Sequence, residues 1–241
     1  MLTAVLTFIA ATVSNPVQFA ATFDPTVAEQ ARALMEEGEE AAAFALVEEA
    51  AQGGDAEAIE YLGWFYDTGT FVDADREEAV RLFRQAAALG QPHAQWRLGV
   101  MMDTGECDCG SAEEAYALFE QAAAQDWTNA IVSLGVMQAG GRGTQRNYEA
   151  ARENFARAAT MGNVHGLNEI GVMFVNGEGV ERDLQEAAAY FMIAASNGSA
   201  QAADYAQAVL GSPEVDVLKA GRRANALADE FGLQNRILFE N

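Results

Sequence analysis

The chain has 241 residues, half of them hydrophobic, with 36 acidic side chains against 14 basic ones and a formal net charge of −22. A field of that sign repels phosphate backbones and anionic lipid headgroups, which argues against nucleic acid and polybasic-type membrane docking. The acidity reads first as a solvated face and second as an attraction for cationic peptide segments.

At the N-terminus, Leu2 to Val13 forms an apolar run too short to span a bilayer as a helix but of signal-peptide length. Thr12-Val13-Ser14 offers small residues for cleavage and Asn15-Pro16 breaks the run, although no lysine or arginine precedes it. Residues 1–27 are therefore expected to be a signal peptide plus short linker, with export to a bacterial periplasm; the alternative is a cytoplasmic chain with a packed N-terminal helix. Residues 28–57 read as a shortened helical repeat, in which Phe44 and Ala50-Ala51 mark a second helix and Glu36-Glu37-Gly38-Glu39-Glu40 replaces a long loop.

From residue 58 the chain repeats itself. Leu62-Gly63, Leu98-Gly99, Leu134-Gly135 and Ile170-Gly171 stand 36 residues apart (98 − 62 = 134 − 98 = 170 − 134). Phe83, Phe119, Phe155 and Phe191 keep the same interval, as do the alanine pairs that follow them. A period of this size means stacked supersecondary units. Within each unit the apolar spacing is helical, as in Ala58, Leu62 and Tyr66 or Ala79, Phe83, Ala86 and Ala87, so each unit is a helix pair. Glycine inside a helix costs roughly 1 kcal/mol relative to alanine, and its recurrence at Gly63, Gly99, Gly135 and Gly171 implies a neighbouring helix too close for a Cβ. Gly-containing stretches end the first helix of each unit, and Asp75, Ser111, Asn147 and Asp183 open the second. The units read as 58–93, 94–129, 130–165 and 166–201, with a further first helix starting over 199–210. Ser212-Pro213-Glu214 then reads as the opening of a capping helix over about residues 213–231, ending near Gly232, within a C-terminal segment 211–241.

Cys107 and Cys109, the only cysteines, lie one residue apart; they form either a strained loop disulfide or two unbonded thiols, and they lack the further donors of a zinc site. His93 and His165 occupy the same repeat position two units apart, too far to share a metal, and are expected to be structural turn residues. Nucleophile-elbow, phosphate-loop, zincin and dinucleotide motifs are missing from the chain, so no catalytic residue, metal or cofactor is expected.

The landmark pattern resembles the Sel-one-like repeat, a longer-looped relative of the tetratricopeptide repeat. The match is closest in the fourth unit, from Gly166 through Ile170-Gly171 and Asn176-Gly177-Glu178-Gly179 to Phe191 and Ala194-Ala195. The first unit has Phe71 where the second loop glycine belongs, and the second has Glu106-Cys107-Asp108-Cys109 in its loop. The resemblance implies an all-α, right-handed α-solenoid of stacked helix-turn-helix repeats, whose first helices line a concave side. It also implies groove positions at Glu60, Trp64 and Asp67, at Trp96, Val100 and Asp103, at Val132, Val136 and Ala139, and at Asn168, Val172 and Val175. The alternative for Trp64 and Trp96 is packing against the shortened first unit or the N-terminal segment.

Family resemblance further implies a non-enzymatic adaptor, in envelope signalling or regulation if bacterial. It would bind a protein or peptide partner in the groove as a monomer, with no integral membrane span in the mature chain. A hydrolase related to the cysteine-rich penicillin-binding repeat proteins is the remote alternative, since their recurring cysteine pairs are absent here, and a purely structural spacer is another.

Overall fold

The computed structural model describes residues 25–237. The apolar run Leu2 to Val13, its cleavage site and the linker up to residue 24 lie outside the described residues. Twelve α-helices and no strand are present among the described residues. They gather into two compact units, residues 25–130 and residues 131–237, and the division falls inside one helix.

In the first unit α1 (Pro25–Glu36) and α2 (Glu40–Gln52) form the shortened pair, with Gly38 turning the chain between them at φ +80°. They are followed by α3 (Ala56–Thr68), α4 (Arg76–Ala88), α5 (Pro92–Asp103) and α6 (Ala112–Ala123). The dividing helix is α7 (Thr128–Gly140). The second unit continues with α8 (Tyr148–Thr160), α9 (His165–Asn176), α10 (Leu184–Ser196), α11 (Ala200–Leu210) and α12 (Val217–Glu230).

Local chemistry sets these boundaries. Asp75, Ser111, Asn147 and Asp183 each accept a backbone N–H from the first turn of the following helix, and Ser111 with Glu114 completes a capping box. The helix glycines face the phenylalanine of their own unit's second helix. An ideal Cβ on Gly63, Gly99 or Gly171 would approach Phe83, Phe119 or Phe191 to 3.2, 2.7 or 2.6 Å, respectively. Leu62, Leu98, Leu134 and Ile170 are all buried, as are the four phenylalanines. Phe71 keeps the left-handed turn that its glycine counterparts Gly143 and Gly179 adopt, at φ +68° against +62° and +70°. Its ring packs edge-on against Phe65 with centroids 5.1 Å apart, which offsets the cost of a bulky residue in that region.

The C-terminal helix begins later than the sequence suggests. Ser212-Pro213-Glu214 folds as a turn, with the Val215 N–H donating to Ser212 O. Asp216 caps α12 instead, accepting the Lys219 N–H, and it is pinned by reciprocal bonds with the Gln185 amide. With that anchor on α10 the helix cannot start four residues earlier, and it ends as expected before Gly232, at φ +66°. α12 and α11 both pack on α10, which α9 covers as well, so Ala187 through Ala194 are buried on every side.

Candidate partner-binding site

In the first unit two of the expected groove residues, Glu60 and Asp67, are bonded within the fold. Glu60 is 5% exposed, and its Oε1 lies 2.8 Å from Nδ1 of His93, at the start of α5. His93 is thus a buried inter-repeat partner, whereas His165 is exposed at the start of α9. The His93 ring is flanked by Trp96 and Trp127, with centroids 5.6 and 5.3 Å away. Asp67 accepts two bonds from the Arg97 guanidinium, at 2.7 and 3.0 Å, and Arg97 also bonds Glu106 at 2.8 Å. That guanidinium holds the Glu106 carboxyl below the usual carboxylate range. Trp64, Trp96, Val100 and Asp103 are half-buried. The acidic end expected of a groove is therefore consumed internally at Glu60 and Asp67, because each has a basic partner about 30 residues away that the repeat brings alongside it.

The loop after α5 is tied down by its neighbours. Arg76 donates to Glu106 O, Arg84 to Cys109 O, and Arg97 to the Glu106 carboxylate. Cys107 and Cys109 are paired, with Cα atoms 5.1 Å apart, within the ordinary disulfide range and not at the upper limit that an extended chain would impose.

The second unit holds an open cavity of about 290 Å³ between α7, α9 and the loops that follow them. Three expected groove residues, Val136, Ala139 and Val172, line it together with Met173 and Phe155. Val132 and Val175 pack half-buried on the same core. Asn168 does not face solvent: it is 0% exposed, its amide donates to Glu169 Oε1 at 3.1 Å, and its own Oδ1 has no partner among the described residues.

The polar lining was not legible as a site. Glu169, one position past Asn168, reaches the cavity from α9, and Glu178 reaches it from the following loop. Both are half-buried. Burial pushes the Glu169 carboxyl up, against the pull of the Asn168 amide and of His165. Arg142 and Arg146, on the loop after α7, stand exposed at the rim. Arg146 lies over the Tyr148 ring at 5.8 Å and donates to Gly140 O. The loop carrying Glu178 presses on Tyr148 so closely that a Cβ on Gly179 would come within 2.3 Å of the tyrosine Cβ. The only sequence signal for this lining is the pair of glycine-rich loops, which mark tight connectors equally well.

A family model described as Sel1 repeat matches residues 56–91, 92–127, 128–163 and 164–199, a frame two residues ahead of the one drawn from the landmarks. Its first-helix boundaries agree with the starts of α3, α5 and α7. Comparison with curated proteins finds no match. Among solved structures, a Sel1 repeat protein from Oxalobacter formigenes is similar at TM-score 0.69 and 27% identity, over 84% of each chain. A protective antigen of uropathogenic Escherichia coli strains, displaying an SLR fold, is similar at TM-score 0.71 and 22% identity over 89% of this chain, which spans 50% of the antigen's. An immunity protein from Pseudomonas aeruginosa is similar at TM-score 0.56 and 19% identity, over 89% of this chain and 85% of its own. The fold class is the expected all-α repeat solenoid.

Proposed function

This chain belongs to the Sel1 repeat family, and on that premise we propose that it is a non-enzymatic adaptor that captures a segment of a partner protein in the α7–α9 cavity. Sel1 repeat proteins generally mediate protein–protein interaction and are typically non-enzymatic. The observation that carries the reading is the cavity itself. Val136 and Val172, at equivalent first-helix positions, and Ala139, one turn beyond Val136, stand half-buried around a space large enough for one long side chain. An extended segment with one inserted side chain is the mode such a space suits. Among the described residues no three His, Cys, Asp or Glu side chains converge as metal ligands, and no helix is long and apolar enough to cross a membrane.

Affinity purification on the tagged chain tests the proposal. Partners recovered by wild type should be lost from Val136→Asp with Val172→Asp and kept by Leu89→Ala, a change at an exposed leucine of the first unit. Thermal melts confirm that all three proteins fold. Unchanged recovery by the double variant overturns the reading.

Export completes the proposal. Its support is the run Leu2 to Val13, together with a cysteine pair of the kind that persists in oxidising compartments. Fractionation and N-terminal sequencing test it, and an intact Met1 in the cytoplasmic fraction overturns it.

A further inference from the structure

We infer that the α7–α9 cavity takes a basic side chain, lysine or arginine, of the partner segment, with Glu169 as its counter-ion. The inference rests on the adaptor reading and names the chemistry of the inserted residue.

Charge position decides the sign. The two acids, Glu169 and Glu178, are half-buried within the lining, while the two cations, Arg142 and Arg146, are exposed at the rim, where solvent screens them. Arg146 is further engaged by the Tyr148 ring and Gly140 O. A guest inside the cavity therefore meets carboxyl oxygens in the less polar region and guanidinium only at the mouth. The apolar wall of Val136, Val172 and Met173 suits a methylene stem that ends in a charged head, the arrangement by which lysine and arginine bury their stems. The net charge of −22 adds long-range attraction for basic segments.

Protons are coupled to the event. Burial shifts the Glu169 carboxyl toward its neutral form, and an incoming ammonium or guanidinium shifts it back toward the ionised form, so binding and ionisation of this group are linked. Of the other titratable or charged groups, His165 at the start of α9 acts on this carboxyl directly, while Glu178 on the next loop, Arg142 and Arg146 on the preceding one and Tyr148 on α8 line the same cavity.

The test uses the full chain and three blocked tripeptides, acetyl-Leu-X-Leu-amide with X as lysine, norleucine or glutamate, followed by methyl NMR of Val136 and Val172. The lysine peptide should shift both methyl signals saturably and bind about tenfold more tightly than the norleucine peptide. Its affinity should fall as pH falls through the raised pKa of Glu169. Glu169→Gln should remove both the preference and most of the pH dependence, and Arg142→Ala with Arg146→Ala should leave lysine binding intact or tighter. Norleucine binding as tightly as lysine would overturn the inference and leave the adaptor reading standing. Tighter binding of the glutamate peptide would overturn it in favour of the rim arginines. Failure of all three peptides to move either methyl signal would count against the inference and the adaptor reading together.

Discussion

A Cβ on Gly135 would stand 2.6 Å from Cε1 and 2.9 Å from Cδ1 of Phe155, with the Ala151 carbonyl at 3.1 Å on another side. The helix glycine and the phenylalanine 20 positions later are thus a single packing unit, a notch and the ring that fills it.

Gly135→Ala should cost about 2–4 kcal/mol, because both the ring and a backbone carbonyl must yield. At Gly63 the nearest atoms are at 3.2 Å and all belong to side chains, so Gly63→Ala should cost less than about 1 kcal/mol once the gain in helix propensity is counted. Thermal melts of the two variants should show that order, and equal losses would contradict it.

Phe71 carries opposed terms, a left-handed backbone that favours glycine and a ring contact with Phe65. Phe71→Ala keeps the strain and loses the contact, whereas Phe71→Gly loses both. The glycine variant should be the more stable of the two by about 1 kcal/mol, reversing the order expected of exposed helical sites. Denaturant titration of both variants measures it.

Arg97→Ala should destabilise by about 3 kcal/mol, because it strands the Asp67 carboxylate, whose side chain is 7% exposed. The Cys107–Cys109 bond closes a loop of only one intervening residue, so Cys107→Ser with Cys109→Ser should cost no more than roughly 1–2 kcal/mol. Urea unfolding under oxidising conditions distinguishes them, and a larger loss from the cysteine pair would make the disulfide, not the arginine, the principal fastener of that loop.

Glu169 and Glu106 should give opposite pH signatures. The folded chain raises the Glu169 pKa, so this group's contribution is full below the unfolded value of about 4.3 and is lost as pH rises through the folded value. Glu169→Gln should therefore match wild type in acid and exceed it at neutral pH. The folded chain depresses the Glu106 pKa, so its stabilisation is present above the unfolded value and disappears as pH falls through the folded one. Glu106→Gln should be weaker than wild type at neutral pH and converge with it in acid. Melting temperatures across pH for both variants check the signs.

Much of the fold was legible because the interval of 36 residues encodes backbone events: where a helix must approach another, where a cap is needed and where a turn falls. Gly171, Phe191 and Asp183 could each be assigned from position alone. The start of α12 could not, because Ser212-Pro213 and Asp216 are both good openings and Gln185, 31 residues away, selects the second. At the site, register points to Val136, Ala139 and Val172, which line the cavity, but does not foretell that Glu60 and Asn168 are buried. Position on a helix face says which way a residue points, not whether a histidine 33 positions later will claim it. Glu169 and the rim arginines have no periodic signature, since the charged part of the lining draws on one helix and two loops.

Because α10 is enclosed by α9, α11 and α12, it has no free flank on which another hairpin could settle. Tandem duplication, the usual way such arrays lengthen, would have to insert new copies upstream of this helix or evict α12.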